Sequence, residues 1–155
     1  MNMSKIVRSA AHLLFPAILV YGFYIVVHGH LTPGGGFQGG AVIATGFVLL
    51  YVAFSYQRLQ EWFHLDSFKN AEALGLLLFI VTALVALGLG ATFFYNWMAN
   101  TGGLFGMPVP FGPNPGYLNT AGTIPIMNIA VGVEVLGAMS VILFYMLRGI
   151  KGGDE

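Results

Sequence analysis

Of the six acidic residues in this 155-residue chain, five lie in charged or terminal segments, and the sixth does not. Glu134 sits about ten residues into a long apolar stretch. If that stretch spans a bilayer, a charge at its middle costs at least about 2.5–3.5 kcal/mol, so a carboxyl there is paired, protonated or beside a polar cavity. No Lys or Arg of the chain falls at the same depth. Two readings follow: a protonatable or cation-attracting group on an ion path, or a neutral acid hydrogen-bonding between helices. Asn128, six residues earlier, lies roughly 600° around a helix from Glu134, which is −120°, so the two do not share a face. Asn128 reads as a helix–helix hydrogen bonder or as a second wall of one cavity.

His28 and His30 flank Gly29 at the end of another apolar stretch. At this i, i+2 spacing the rings diverge on a helix, and no third ligand is evident, so no metal site is expected. A proton relay or hydrogen bonding to the adjoining glycine-rich run remain as readings. That run, Pro33, Gly34, Gly35, Gly36, Phe37, Gln38, Gly39 and Gly40, permits close backbone approach and positive φ, which other residues adopt only at a cost. Gly35 with Gly39, and Gly36 with Gly40, have the GxxxG spacing of packed membrane helices. A phosphate loop is excluded, because no Gly-Lys-Ser/Thr follows. His12 precedes Pro16 by four residues, which removes the hydrogen bond to its carbonyl and predicts a kink. With no histidine on a second span to face His12 or His28, a bis-His haem is not expected. No nucleophile–base pair for a hydrolase appears.

The elements that must hold these residues are membrane helices. Hydrophobic residues make up 57% of the chain and charged residues 8%, against roughly 25% charged in a soluble domain. Four apolar stretches, about 10–27, 39–56, 73–94 and 123–147, each approach the ~20 residues that cross a ~30 Å hydrocarbon core. The expected fold is therefore an all-α membrane protein, a single domain over 1–155. The N-terminal stretch is too long for a signal peptide and lacks a small-residue cleavage site, so it reads as a retained span. Lys5 and Arg8 precede the first span, Arg58 and Lys69 separate the second and third, and Arg148 and Lys151 follow the fourth. The other two loops have no Lys or Arg, and this alternation predicts cytoplasmic N- and C-termini. Tyr95 and Trp97 read as an outer aromatic belt and Trp62 as an inner one. The loop after Gly102 carries Leu104, Phe105, Met107, Val109, Phe111 and Tyr117 among its prolines, which suits contact with a neighbouring protein. Zero net charge offers no footprint for nucleic acid, and the absence of cysteine excludes disulfides and Cys-ligated metal.

The segment His28–Gly40 (His-Gly-His-Leu-Thr-Pro-Gly-Gly-Gly-Phe-Gln-Gly-Gly) resembles a signature of the MrpB/MnhB family, the B-type subunit of multisubunit cation/proton antiporters. Gly122–Val135 (Gly-Thr-Ile-Pro-Ile-Met-Asn-Ile-Ala-Val-Gly-Val-Glu-Val) is similar to that family's second signature, with Val133 where the pattern has Leu. The resemblance implies a plasma-membrane subunit of a sodium/proton antiporter module, either in a stand-alone antiporter or in a membrane-bound hydrogenase-type respiratory complex. It implies other membrane subunits as partners, with hydrogenase-type redox subunits in the second case, and neither a cofactor nor a catalytic residue on this chain. Glu134, His28, His30 and Asn128 are the ion-pathway candidates. A purely structural scaffold subunit is the alternative.

Overall fold

The computed structural model describes residues 3–54, 56–99 and 121–151. The described chain folds into α1 (Lys5–His28), α2 (Gly36–Phe54), a short α3 (Tyr56–Trp62), α4 (Leu65–Gly88) and α5 (Ile124–Lys151), with no strand among the described residues. Four of these helices are long and apolar enough to cross a membrane. The protein is an all-helical membrane protein.

Local chemistry sets the helix ends. Ser4 caps α1, its hydroxyl accepting from the Val7 N–H at 3.4 Å. At the start of α2 the Gly35 N–H donates to Gln38 Oε1 at 2.9 Å, one half of a capping box in which the third helical residue reaches back. Much of the glycine-rich run is therefore the first turn of a helix instead of a loop. The stretch expected to span 73–94 is a helix from Leu65 to Gly88. It begins early because Asp66 suits the positive end of the helix dipole, so polar residues extend the helix beyond its apolar part. It ends early because Gly90 takes φ +78°. Its N–H donates to Leu87 O at 2.9 Å and the Ala91 N–H to Ala86 O at 3.0 Å, a Schellman stop that overrides the apolar residues beyond it.

Helix α5 organises the packing. It lies against α4 and α2, α2 lies also against α1, and α1 touches α5 over a smaller area. Glycines mark each crossing. On α2, a Cβ at Gly40 would stand 2.6 Å from Gly132 O, and one at Gly36 would run into Asn128 O, so α2 and α5 run parallel in backbone contact. Gly39 faces the other way, 2.7 Å by the same measure from Gly22 O of α1. On α4, Gly75 meets Ala130 O and Glu134 N, each at 2.6 Å, while Gly137 of α5 meets Phe68 O at 2.7 Å, an antiparallel register. The end of the bundle carrying the basic residues is closed by rings: Phe47 stands edge-on to Phe63 and Phe68 at 5.1 and 5.2 Å, and Phe68 packs on Phe144 at 5.6 Å. Leu74, Leu77, Ile80 and Leu84 leave one side of α4 apolar and exposed.

Replacing Gly40 with Val should destabilise the protein by about 1–3 kcal/mol, the usual penalty for overpacking, because the obstacle is backbone that cannot rotate aside. Gly88→Ala meets nothing within 4 Å and should be neutral or slightly stabilising. Thermal unfolding of both variants in mild detergent measures the difference.

Candidate functional site

The glycine-rich segment and α5 build one junction at the end opposite the basic residues. Asn128 projects from α5 between the end of α1 and the start of α2. A Cβ at Gly29 would stand 2.7 Å from its Nδ2, and one at Gly35 3.0 Å from its Oδ1. The Asn128 Nδ2 is buried without a hydrogen-bond partner. His28 stacks on Tyr24 with ring centroids 4.1 Å apart, and its Nδ1 lies 3.2 Å from Tyr24 O. The His28 carbonyl accepts from the N–H groups of Leu31 and Thr32 and from the Thr32 hydroxyl, which closes the turn after α1. His30 is half-buried in that turn. Pro33 and Gly34 line an open groove with Tyr21, Tyr24 and Gln38, and Phe37 is 61% exposed, turned away from the fold.

The glycines meet the expectation of close backbone approach but not that of positive φ. None of Gly34, Gly35, Gly36, Gly39 and Gly40 has positive φ; among the described glycines only Gly90 and Gly122 do. The helical conformation of Gly36, Gly39 and Gly40 needs no αL geometry, and what the packing requires of them is a missing side chain. The two GxxxG pairs also divide. Gly36 and Gly40 both face α5, whereas Gly35 meets Asn128 and Gly39 meets α1.

Glu134 lies elsewhere. Its backbone packs against Gly75 of α4, where a Cβ would come 2.8 Å from the Glu134 Cβ. The residue is half-buried, and among the described residues the carboxylate has no ion-pair partner in its own chain. Asn128 and Glu134 thus occupy separate seams, α5 with α1 and α2 for the first and α5 with α4 for the second. They do not wall one cavity. His28 and His30 sit with Asn128, not with Glu134. His12 packs on the Phe54 ring at 4.6 Å.

Three structural residues escape the sequence reading. Gly75 and Gly22 were single glycines in apolar runs, and the signal was there, since an isolated glycine in a helical pattern often marks close packing. Asn96 carried no comparable signal. Its Oδ1 accepts from the Thr123 N–H at 2.7 Å and from the Thr123 hydroxyl at 2.9 Å, while its Nδ2 donates to Ala121 O at 3.0 Å. Asn96 therefore fixes the start of α5 from 27 residues away. The Nε1 of Trp97, a residue expected in an aromatic belt, donates to Thr82 O at 3.2 Å. Tyr95 is exposed. The apolar loop residues Leu104, Phe105, Met107, Val109, Phe111 and Tyr117 lie outside the described residues.

Residues 6–141, which include both glycine seams, Asn128 and Glu134, match the model of a family described as a domain related to the MnhB subunit of Na+/H+ antiporter. The chain belongs to this family. An uncharacterised protein of Methanocaldococcus jannaschii is 34% identical over 143 residues, 92% of this chain and 52% of that protein. A Staphylococcus epidermidis protein named as antiporter subunit mnhB2 is 30% identical over 148 residues, 96% of this chain and 94% of its own length. A chain of the membrane-bound sulfane sulfur reductase, an archaeal respiratory membrane complex, superposes with a TM-score of 0.78 at 34% identity, covering 95% of this chain and 59% of that one. The MnhB-related chain thus spans about half the length of the first relative and just under three fifths of the respiratory subunit.

Asn96→Ala removes all three hydrogen bonds and leaves the part-buried Thr123 N–H without an acceptor. A loss of about 1–3 kcal/mol is expected, with Asn96→Asp, which keeps the acceptor, milder. Thermal unfolding in detergent reads both.

Proposed function

We propose that this MnhB-type subunit contributes to sodium/proton translocation in a multisubunit membrane complex of the cell membrane, with Glu134 as an ionisable group on the ion path. Its relatives include both an antiporter subunit and a chain of a respiratory complex, so a stand-alone antiporter and a redox-driven pump are both compatible hosts. The chain acts as a transporter subunit, supplies no catalytic residue, and takes the other membrane subunits as partners. Both termini are cytoplasmic, in keeping with the basic residues gathered at one end of the bundle.

The observation that carries this reading is the glycine opposite Glu134. A carboxyl that serves only to tie two helices together needs a donor across the seam. Gly75 has no side chain, and its N–H lies within the helical ladder of α4. The carboxyl is half-buried at the middle of a span and, among the described residues, has no ion-pair partner. That combination suits a group that binds a cation or exchanges a proton with something outside the chain. Scaffolding is the second reading, favoured by the backbone contacts that the signature glycines make on α5.

Glu134→Gln preserves shape and most hydrogen bonding but abolishes ionisation. In vesicles containing the whole complex, sodium-coupled proton transport should fall several-fold at near-normal assembly, with a changed pH profile. Wild-type transport across the working pH range would leave the scaffold reading. For the topology, single cysteines at Gln60 and Tyr95 should react with an impermeant thiol reagent from opposite sides of intact membranes, Tyr95 from outside. Labelling of both from one side contradicts the four-span arrangement, and labelling of Tyr95 from inside with Gln60 from outside contradicts cytoplasmic termini.

A further inference from the structure

The seam between α4 and α5 has two flanks of different character. One is filled by the Phe68 and Phe144 rings, which continue through Phe47 into α2. On the other flank Lys69 Nζ of α4 stands 5.5 Å over the Tyr145 ring of α5. Tyr145 is eleven residues after Glu134, or about 20° around the helix after three turns, and Ala138 is about 40° away, so the three share one face of α5. Glu72 lies three residues after Lys69 on α4, with its N and Cα 2.6 and 3.0 Å from a Cβ built at Gly137. Because the helices are antiparallel, residues that follow the seam line around each helix turn toward the same side. Glu134 and Glu72 therefore line the same flank as Lys69 and Tyr145, roughly one turn apart in depth.

Among the described residues neither glutamate has an ion-pair partner in the chain. Lys69 is engaged with Tyr145 and with Asp66, 4.0 Å away. The remaining basic residues sit at the helix ends or beyond them. Glu134 is ten residues from the start of α5 and faces a point ten residues from the start of α4, or about 15 Å from either end. A lipid headgroup does not reach that depth, and an acyl chain offers no donor to a carboxylate.

We infer that this flank is the docking face for a transmembrane helix of a neighbouring subunit, and that the helix presents a Lys, Arg or protonated His to Glu134 and Glu72. Charge complementarity selects the occupant: a half-buried carboxylate at mid-depth, with a second about one turn nearer the basic end and no ion-pair partner for either among the described residues, calls for a cationic side chain from outside. The inference does not depend on whether Glu134 conducts ions. A docked base would position the carboxylate in a scaffold as well as in a pathway.

The chain contains no cysteine, which makes the flank directly testable in the intact complex. A single cysteine at Ala138, between Glu134 and Tyr145, would carry a short thiol-directed photocrosslinker. One at Leu77, 63% exposed on the opposite side of α4, is the control. The Ala138 probe should yield a peptide from one neighbouring subunit, within a span that contains a basic residue, and the Leu77 probe should not yield that peptide. Glu134→Lys should reduce the share of this chain recovered in the complex at least fivefold, and Glu134→Gln less than twofold. Exchanging the cross-linked partner's basic residue for Glu should restore the Glu134→Lys variant, which separates a docking defect from a folding defect. Cross-linking at Ala138 to lipid alone, or to a span with no basic residue, overturns the inference, as does normal recovery of Glu134→Lys or failure of the exchange to restore it. Loss of transport in Glu134→Gln without a basic helix at Ala138 would leave the ion-path reading standing and remove this one.

Discussion

Direct backbone contact along α5 is the constraint on which the other contacts depend. In lipid, burying one apolar helix against another gains little, because the surrounding tails are as apolar as the partner. Association rests on dispersion at close range and on the few available polar contacts. Both require the helices to approach closely, and Gly36, Gly40, Gly75, Gly132 and Gly137 allow this by placing no side chain at the crossings. Its buried residues are mostly small, with Ala11, Ala44, Ala53, Ala83, Ala86 and Ala130 among them. Many of the aromatic ring contacts lie at the end that carries α3 and the turn before α4.

The same contacts dictate where polar groups go. α5 presents one face to α2 and α1 and another to α4, so Asn128 and Glu134, a turn and two thirds apart, fall into separate seams. Asn128 is held between glycines and inherits the surroundings of the α1–α2 turn, including His28 and His30. Glu134 inherits a glycine and an open flank. One helix thereby carries two polar positions with different environments, which is why the two signature segments, although they meet at Gly36 and Asn128, do not converge on a single cluster of titratable groups.

Much of this was legible in the sequence. Four long apolar runs, too few charges for a water-facing surface and a glycine run of unusual composition led to four membrane helices, and the two signatures led to the MnhB family. The angular argument from 100° per residue separated Asn128 from Glu134 correctly. Hydropathy failed at the helix ends. It reports what faces lipid, whereas the end of α4 is fixed by the αL conformation of Gly90, which apolar neighbours mask. The close backbone approach expected of the glycine run is present, but the positive φ also expected there is not, because composition does not reveal whether a glycine serves a turn or an interface. Asn96 was invisible for a different reason. Its three hydrogen bonds reach across 25 to 27 residues, and nothing local in Tyr-Asn-Trp announces a contact with Thr123.

The pairing of Gly75 with Glu134 narrows what the acid can be doing. A carboxyl in a membrane helix is stabilised by donors, and the nearest structure across the seam is a glycine whose amide is within the α4 ladder. The next polar residue along α4 toward the basic end of that seam is Glu72, a second acceptor when ionised. Neither can satisfy a carboxylate, and protonating Glu134 would still direct its hydroxyl toward an acid or toward the flank. The in-chain packing at Gly75 holds the backbone and Cβ of Glu134 in place while its carboxyl has no ion-pair partner among the described residues. An arrangement that fixes the stem and leaves the head open is suited to a group whose partner arrives from outside the chain, whether as a cation, a proton or a side chain of another subunit.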